Sequence, residues 1–171
     1  FFCYNINPDS ILLISPSDHI ITDIDNYHSA IQKGVDAVQK GNIVTFGVPP
    51  SRPETGYGYL ELLNEAQDDA MRLKRFIEKP NAGLANKMFK KKQFLWNAGI
   101  FMFRARDMIK AFETYSKNLV KPVKESLKNS KKDLGFIRLS SADWSKCQNI
   151  SIDYAIMEKA KNLVVIPLNA G

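Results

Sequence analysis

Apolar residues fall into short blocks and helical stripes along this chain. Ser10-Ile11-Leu12-Leu13-Ile14-Ser15 is an unbroken apolar run, the pattern of a strand covered on both faces in a parallel sheet, and it stops at Pro16-Ser17-Asp18-His19. From Tyr27, the positions Tyr27, Ala30, Ile31, Val35 and Val38 follow helical spacing, with Asp25 as N-cap and Gly41 as stop. Ile43 to Val48 reads as the next strand. Strand, helix and strand within this span form a βαβ unit, which predicts an α/β sheet with right-handed crossovers.

Two further strands are expected at Tyr57 to Leu63 and Leu73 to Ile77, joined across 64–69 by a hairpin-like connection. Leu84, Ala85, Met88 and Phe89 mark a short helix, Leu95 to Phe103 a strand, and Met108, Ile109, Phe112 and Tyr115 an amphipathic helix. Val120, Val123 and Leu127 continue in helical register, with Pro122 expected to interrupt it. Ser151 to Lys161 reads as a helix capped by Ser151, and Leu163 to Ile166 as a closing strand.

The 171 residues amount to one domain, which at this size buries roughly 70% of the surface its unfolded chain exposes. With 44% apolar and 25% charged residues the composition is that of a globular protein. No apolar run reaches the ~18 residues of a membrane span, and the apolar start has no basic leader or small-residue cleavage site. Cys3 and Cys147 stand apart, as free thiols do in a reducing compartment, so a cytoplasmic protein without membrane attachment is expected. A net charge of +6 suits anionic ligands. Lys90 to Lys92 and the lysines from Lys128 to Lys132 lie in or beside helical patterns without interleaved aromatics, which reads as solvated faces and excludes nucleic acid as the expected partner.

The chemistry concentrates at predicted strand ends. Arg52-Pro53-Glu54-Thr55-Gly56-Tyr57-Gly58-Tyr59 sets two glycines among aromatic rings; Gly56 and Gly58 are free to take positive φ and admit a sugar or phosphate to the backbone, with Tyr57 lying on it. The same run also reads as a hairpin turn with packed tyrosines. Asp18 ends an apolar strand, where open α/β sheets bind ligands, and its carboxylate suits Mg²⁺; it equally suits a capped turn. His19 has no His or Cys nearby and reads as structural. Glu78 and Lys79 follow another strand, where alternation puts neighbours on opposite faces, so Glu78 could accept from sugar hydroxyls while Lys79 neutralises phosphate; an exposed ion pair is the other reading. In Trp96-Asn97-Ala98-Gly99, Asn97 can donate and accept beside small neighbours, or bond a nearby loop. Nucleophile-elbow, Walker, dinucleotide and zinc-protease motifs are absent, which favours direct transfer at phosphorus over a covalent intermediate.

Taken in order, Pro16 to Ile20, Phe46-Gly47-Val48 with Arg52 to Tyr59, Phe76 to Pro80, Trp96 to Phe103 and Ser151 to Lys159 closely resemble the mannose-1-phosphate guanylyltransferases (GDP-mannose pyrophosphorylases), in particular the bacterial long form. The resemblance implies a Rossmann-like nucleotidyltransferase fold, a mixed sheet flanked by helices, and formation of GDP-mannose and pyrophosphate from GTP and α-D-mannose 1-phosphate. It implies Asp18 as a magnesium ligand, Tyr57 and Gly58 lining the sugar site, Glu78 and Asn97 on sugar hydroxyls, Lys79 on the sugar phosphate, and Asp153 facing ligand or capping a helix. Ala98 stands where many relatives have serine. The family's leading Gly-x-Gly-x-Arg-Leu-x-Pro-Leu-Ser segment, and its later Trp and Asp-Val-Gly segment, have no counterpart in these residues. The expectation is therefore a partial domain over 1–171, incomplete at both ends and without a second domain, inactive alone and prone to self-association through an uncovered sheet edge; a homo-oligomer is compatible with it. A nonenzymatic sugar-nucleotide-binding regulator and a transferase for another sugar 1-phosphate are the alternatives, with Asp18 and Lys79 favouring an enzyme.

Overall fold

The computed structural model describes residues 1–63 and 70–169, so the connection expected over 64–69 lies outside the described residues. The chain divides into two compact units, Ile11–Arg104 with Lys161–Gly171, and Phe1–Ser10 with Ala105–Ala160.

The first unit is a mixed sheet with two helices. Its strands are β1 (Ile11–Ile14), β2 (Ile43–Val48), β3 (Tyr59–Leu62), β4 (Met71–Ile77), β5 (Phe94–Arg104) and β8 (Leu163–Pro167), in the order β1-β5-β2-β8-β4-β3 with β3 also paired to β5. Among the described residues only β2 and β8 pair in parallel; the other pairings are antiparallel. The long β5 lies between β1 and β2 and opposes both, so these two run parallel to each other without touching, as the βαβ reading requires of their direction. The expectation that β1 is covered on both faces fails. Among the described residues it has β5 as its single neighbour strand, and Ile11, Leu13 and Ile14 are 37%, 39% and 49% exposed. Apolar runs mark strands, but which neighbours arrive is a matter of topology.

Helix α2 (Ile24–Gln39) starts one turn earlier than the apolar stripe suggests. Its N-cap is Asp23, which accepts from the backbone N–H of Asn26 at 3.0 Å, while Asp25 sits in the first turn. Gly41 follows its end at φ +84°, a conformation glycine takes without strain. Ala30, Ala37 and Val38 of α2 pack with Val44, Phe46, Ile100, Met102, Val164 and Ile166. Helix α3 (Ala82–Phe89), capped by Asn81 on the N–H of Leu84, packs Ala85 and Met88 on Tyr59, Phe94 and Trp96. Even-numbered residues of β5 thus serve both clusters, and odd-numbered Leu95 and Asn97 belong to the other side of the strand.

The second unit contains helices α1 (Phe2–Ile6), α4 (Ala105–Tyr115), α5 (Lys117–Lys128) and α6 (Ser141–Trp144) and the ribbon β6 (Lys131–Asp133) with β7 (Phe136–Arg138). The helical break falls at Ser116, and Pro122 lies inside α5, contrary to expectation. The N–H that proline lacks would have bonded the carbonyl of exposed Asn118, which water can satisfy. The buried Ser116 hydroxyl donates to the carbonyl of Ala155 at 2.9 Å. The expected helix over Ser151 to Lys161 is a single π-helical turn, Asp153–Met157, closed by the N–H of Glu158 on the carbonyl of Asp153. No helix among the described residues is long and apolar enough to cross a membrane, and Cys3 and Cys147 are free thiols.

Candidate functional site

The pairing register brings three expected site residues into one row. Tyr59 lies between Ile77 of β4 and Trp96 of β5. One step back along β3, the Gly58 carbonyl accepts from the N–H of Asn97 at 2.8 Å, and Glu78 follows Ile77. A Cβ built on Gly58 would stand 2.6 Å from Oε2 of Glu78 and 3.1 Å from the Phe76 ring. Gly58 is therefore glycine for space. Neither it nor Gly56 adopts positive φ, contrary to the sequence-based expectation. With no side chain on the middle strand, the carboxylate of Glu78 lies over Gly58, and Glu78, Gly58 and Asn97 together form the candidate slot.

Lys79 departs from simple alternation. Its φ is +44°, left-handed for a residue with a Cβ, and this turns the chain so that Nζ lies 3.3 Å from Oε1 of Glu78. The two were expected on opposite faces, and the left-handed step brings them together. The Glu78 side chain is only 7% exposed while that of Lys79 is 60% exposed. Holding a lysine in this conformation costs on the order of 1–3 kcal/mol, the kind of local strain that concentrates at functional positions.

Asn97 is fixed from the other side. Its Oδ1 accepts from the hydroxyl of buried Thr45 at 2.8 Å and from the N–H of Gly99 at 3.2 Å. Gly99, at φ +69°, sits in a bulge: Thr45 pairs with Phe101 and Gly47 with Asn97, so three residues of β5 oppose one of β2.

Tyr57 belongs elsewhere. Its ring meets Trp96 edge to face, with centroids 5.2 Å apart, and it is 44% exposed. Because Trp96 and Asn97 are consecutive strand residues, Tyr57 flanks the slot's rear side and not the row itself. The Arg52 guanidinium also lies over the Trp96 ring at 5.6 Å, and Trp96 Nε1 is buried without a partner among the described residues. Glu54, unremarked in the sequence, organises this loop. Its carboxylate accepts from the N–H groups of Thr55 and Gly56 and pairs with Arg52 at 3.1 Å, while its own N–H donates to Tyr59 Oη. The Gly56 N–H and then Arg52 hold its carboxyl below the usual value.

Asp18 lies in an exposed turn after β1, and no ion pair or hydrogen bond holds its carboxylate among the described residues. No cluster of three metal-ligating side chains occurs among them either. One free hard carboxylate nevertheless matches magnesium, which commonly takes one or two carboxylates and completes its shell with water and substrate phosphate. Asp153 starts the π-helical turn of the second unit.

The family profile for nucleotidyl transferases matches residues 3–147. A mannose-1-phosphate guanylyltransferase of Salmonella typhimurium is 35% identical over 165 residues, covering 96% of this chain and 34% of that protein. The alginate biosynthesis protein AlgA of Pseudomonas aeruginosa is 36% identical over 165 residues, covering 95% and 34%. The chain thus spans about a third of the length of these curated relatives. Among solved structures, one described as mannose-6-phosphate isomerase from Helicobacter pylori matches with a TM-score of 0.86 at 32% identity, over 96% of this chain and 64% of that one. Another, described as mannose-1-phosphate geranyltransferase from Thermus thermophilus, matches with a TM-score of 0.77 at 30% identity, over 93% and 44%. With its family profile running through most of the sequence, the chain belongs to the nucleotidyl transferase family.

Proposed function

We propose that this chain supplies the sugar-phosphate side of a guanylyl transfer, in which α-D-mannose 1-phosphate and GTP give GDP-mannose and pyrophosphate. The observation that carries the reading is the slot bounded by Glu78 and Asn97, floored by Gly58 and adjoined by Lys79. Relatives named mannose-1-phosphate guanylyltransferase support the choice of sugar and base.

In this reading a phosphate oxygen of mannose 1-phosphate attacks the α-phosphorus of GTP in line. The new P–O bond forms as the bond to the β-phosphate bridging oxygen breaks, and pyrophosphate departs with that electron pair. The protein has little covalent work to do, so positioning and charge neutralisation dominate. Glu78 accepts from a sugar hydroxyl, Asn97 holds a second, and the Lys79 ammonium faces the sugar phosphate. Tyr57 supports the slot through Trp96. Magnesium, when bound, neutralises phosphate charge, and Asp18 would be its ligand. Asp153 is proposed as a substrate residue on the resemblance alone.

Calorimetric titration of the chain with α-mannose 1-phosphate, α-glucose 1-phosphate and free mannose tests the proposal. Mannose 1-phosphate should bind at least about tenfold more tightly than mannose, a difference of roughly 1.4 kcal/mol from the phosphate contact. Equal affinity for mannose with and without its phosphate, or no binding of either, would contradict it.

A further inference from the structure

The loop over 52–56 turns several hydrogen-bond donors onto one carboxylate of its own. Oε1 of Glu54 accepts from the backbone N–H groups of Thr55 at 2.9 Å and Gly56 at 3.0 Å, and Oε2 accepts from Arg52, with Nη2 at 3.1 Å and Nε at 3.3 Å. Successive backbone N–H groups together with a guanidinium are the donor set that recognises phosphate. The surroundings favour negative charge, since the Gly56 N–H and then Arg52 hold the Glu54 carboxyl below its ordinary value. A further donor adjoins them: the Arg52 guanidinium lies over the ring of Trp96, which is 8% exposed and whose Nε1 has no partner among the described residues. The main chain does not depend on the carboxylate for its place, because the Glu54 N–H donates to Oη of fully buried Tyr59 at 2.9 Å. With the Arg52 side chain 59% and that of Glu54 28% exposed, the carboxylate can leave and solvent can reach the donors behind it.

We propose that loop 52–56 binds the phosphate group of a small molecule, and that Glu54 occupies the site as a built-in competitor until that phosphate displaces it. One phosphate oxygen takes the N–H groups of Thr55 and Gly56, a second takes the Arg52 guanidinium, and the Glu54 carboxylate turns out into water. The proposal goes beyond the slot formed by Glu78, Gly58 and Asn97 and stands whether or not that slot holds a sugar phosphate. It also differs in sign from a purely structural role. If Glu54 only braces the loop, removing its charge loosens the donors and gains nothing for an anion; if it competes, the same change strengthens anion binding.

The test follows backbone amide shifts of the ¹⁵N-labelled chain at constant ionic strength, during titration with sodium phosphate, pyrophosphate and metal-free GTP. In the wild type the Thr55 and Gly56 amides should shift and saturate with phosphate or pyrophosphate, and stay in place when chloride alone is exchanged for another simple salt. Glu54→Gln removes the competing charge but keeps an oxygen that can accept, so affinity should rise at least about threefold as more of the free loop is open to ligand. Arg52→Gln should lower it about fivefold or more through loss of a charge-assisted contact. GTP binding more tightly than pyrophosphate assigns the site to a nucleotide, and weaker binding assigns it to free phosphates. Thr55 and Gly56 amides that never saturate in the wild type, or affinity unchanged or lower in a well-folded Glu54→Gln chain, would overturn the proposal. Should that variant lose the dispersion of its loop amides, the ¹³C signal of the wild-type Glu54 carboxyl decides: it must move as phosphate saturates, and a stationary signal refutes displacement.

Discussion

Replacing Gly58 with alanine is the sharpest perturbation of the slot. The new methyl would lie 2.6 Å from Oε2 of Glu78 and 3.1–3.2 Å from two carbons of the Phe76 ring. A separation of 2.6 Å is inside any normal carbon–oxygen contact, so the Glu78 carboxylate, the far end of a flexible side chain, must swing off the strand, and the Phe76 ring must give by a few tenths of an ångström. Gly58 is not at positive φ, so alanine adds no backbone strain, and the whole effect is one of space. Overpacking costs about 1–3 kcal/mol in a rigid core, and with a carboxylate able to move aside the loss of stability here should be about 1 kcal/mol. Displacement of the carboxylate, together with a methyl filling the slot floor, should weaken α-mannose 1-phosphate binding by at least about tenfold, or roughly 1.4 kcal/mol. Gly56→Ala is the control. Its Cβ would sit an ordinary 3.5 Å from Oε1 of Glu54, again without positive φ, so it should be neutral or stabilise by about 0.4–1 kcal/mol through the unfolded chain. Urea denaturation gives the first quantity and calorimetry the second. Equal stability and equal affinity in the two variants would refute the claim that Gly58 makes room for Glu78.

Lys79→Gly and Lys79→Ala both remove the ammonium, but only glycine relieves φ +44°; the glycine variant should be about 1–2 kcal/mol the more stable in urea, with both losing phosphate-dependent affinity equally. In a guanylyl-transfer assay of the complete enzyme, Lys79→Ala should lower kcat/KM roughly 10²–10³-fold, and near-normal turnover would remove Lys79 from the mechanism. Asp143 is held down to about 2 by hydrogen bonds from Lys146, then Asn129 and Ser140. Its contribution is present in full above the ordinary carboxyl value of 3.8 and is lost as pH falls through about 2. The stability gap between wild type and Asp143→Asn in acid titrations should therefore close over that window; a gap independent of pH would show that the ionised carboxylate contributes nothing.

Much of this architecture is legible from apolar periodicity. The β1, α2, β2 order and the positions of β4, α3, β5 and α4 follow from runs and stripes whose burial is local. Glu78 and Asn97 stand out because they end or interrupt apolar strands. What stays hidden depends on partners distant in sequence. Thr45 is a mid-strand residue whose importance appears only when the bulge in β5 brings Asn97 to it across 52 residues. Glu54 is masked by its neighbours, although a carboxylate followed by Thr55 and Gly56 is a turn-forming pattern. The β6–β7 ribbon reads in sequence as solvated lysine surface. Its strands are three residues each, and its turn places Leu134, 91% exposed, at φ +47° beside Gly135 at φ +85°. A leucine there contradicts the usual residue preference for such turns, so residue type carries little sign of one.

The sugar-phosphate slot is tested most directly by mapping backbone and side-chain amide shifts of the ¹⁵N-labelled chain during titration with α-mannose 1-phosphate. The largest shifts should fall on Gly58, Lys79 and the Asn97 side chain, with Thr45 and Gly99 responding through Asn97. Shifts confined to other residues, or none at saturating ligand, would contradict the assignment of this row as the place where the sugar phosphate binds.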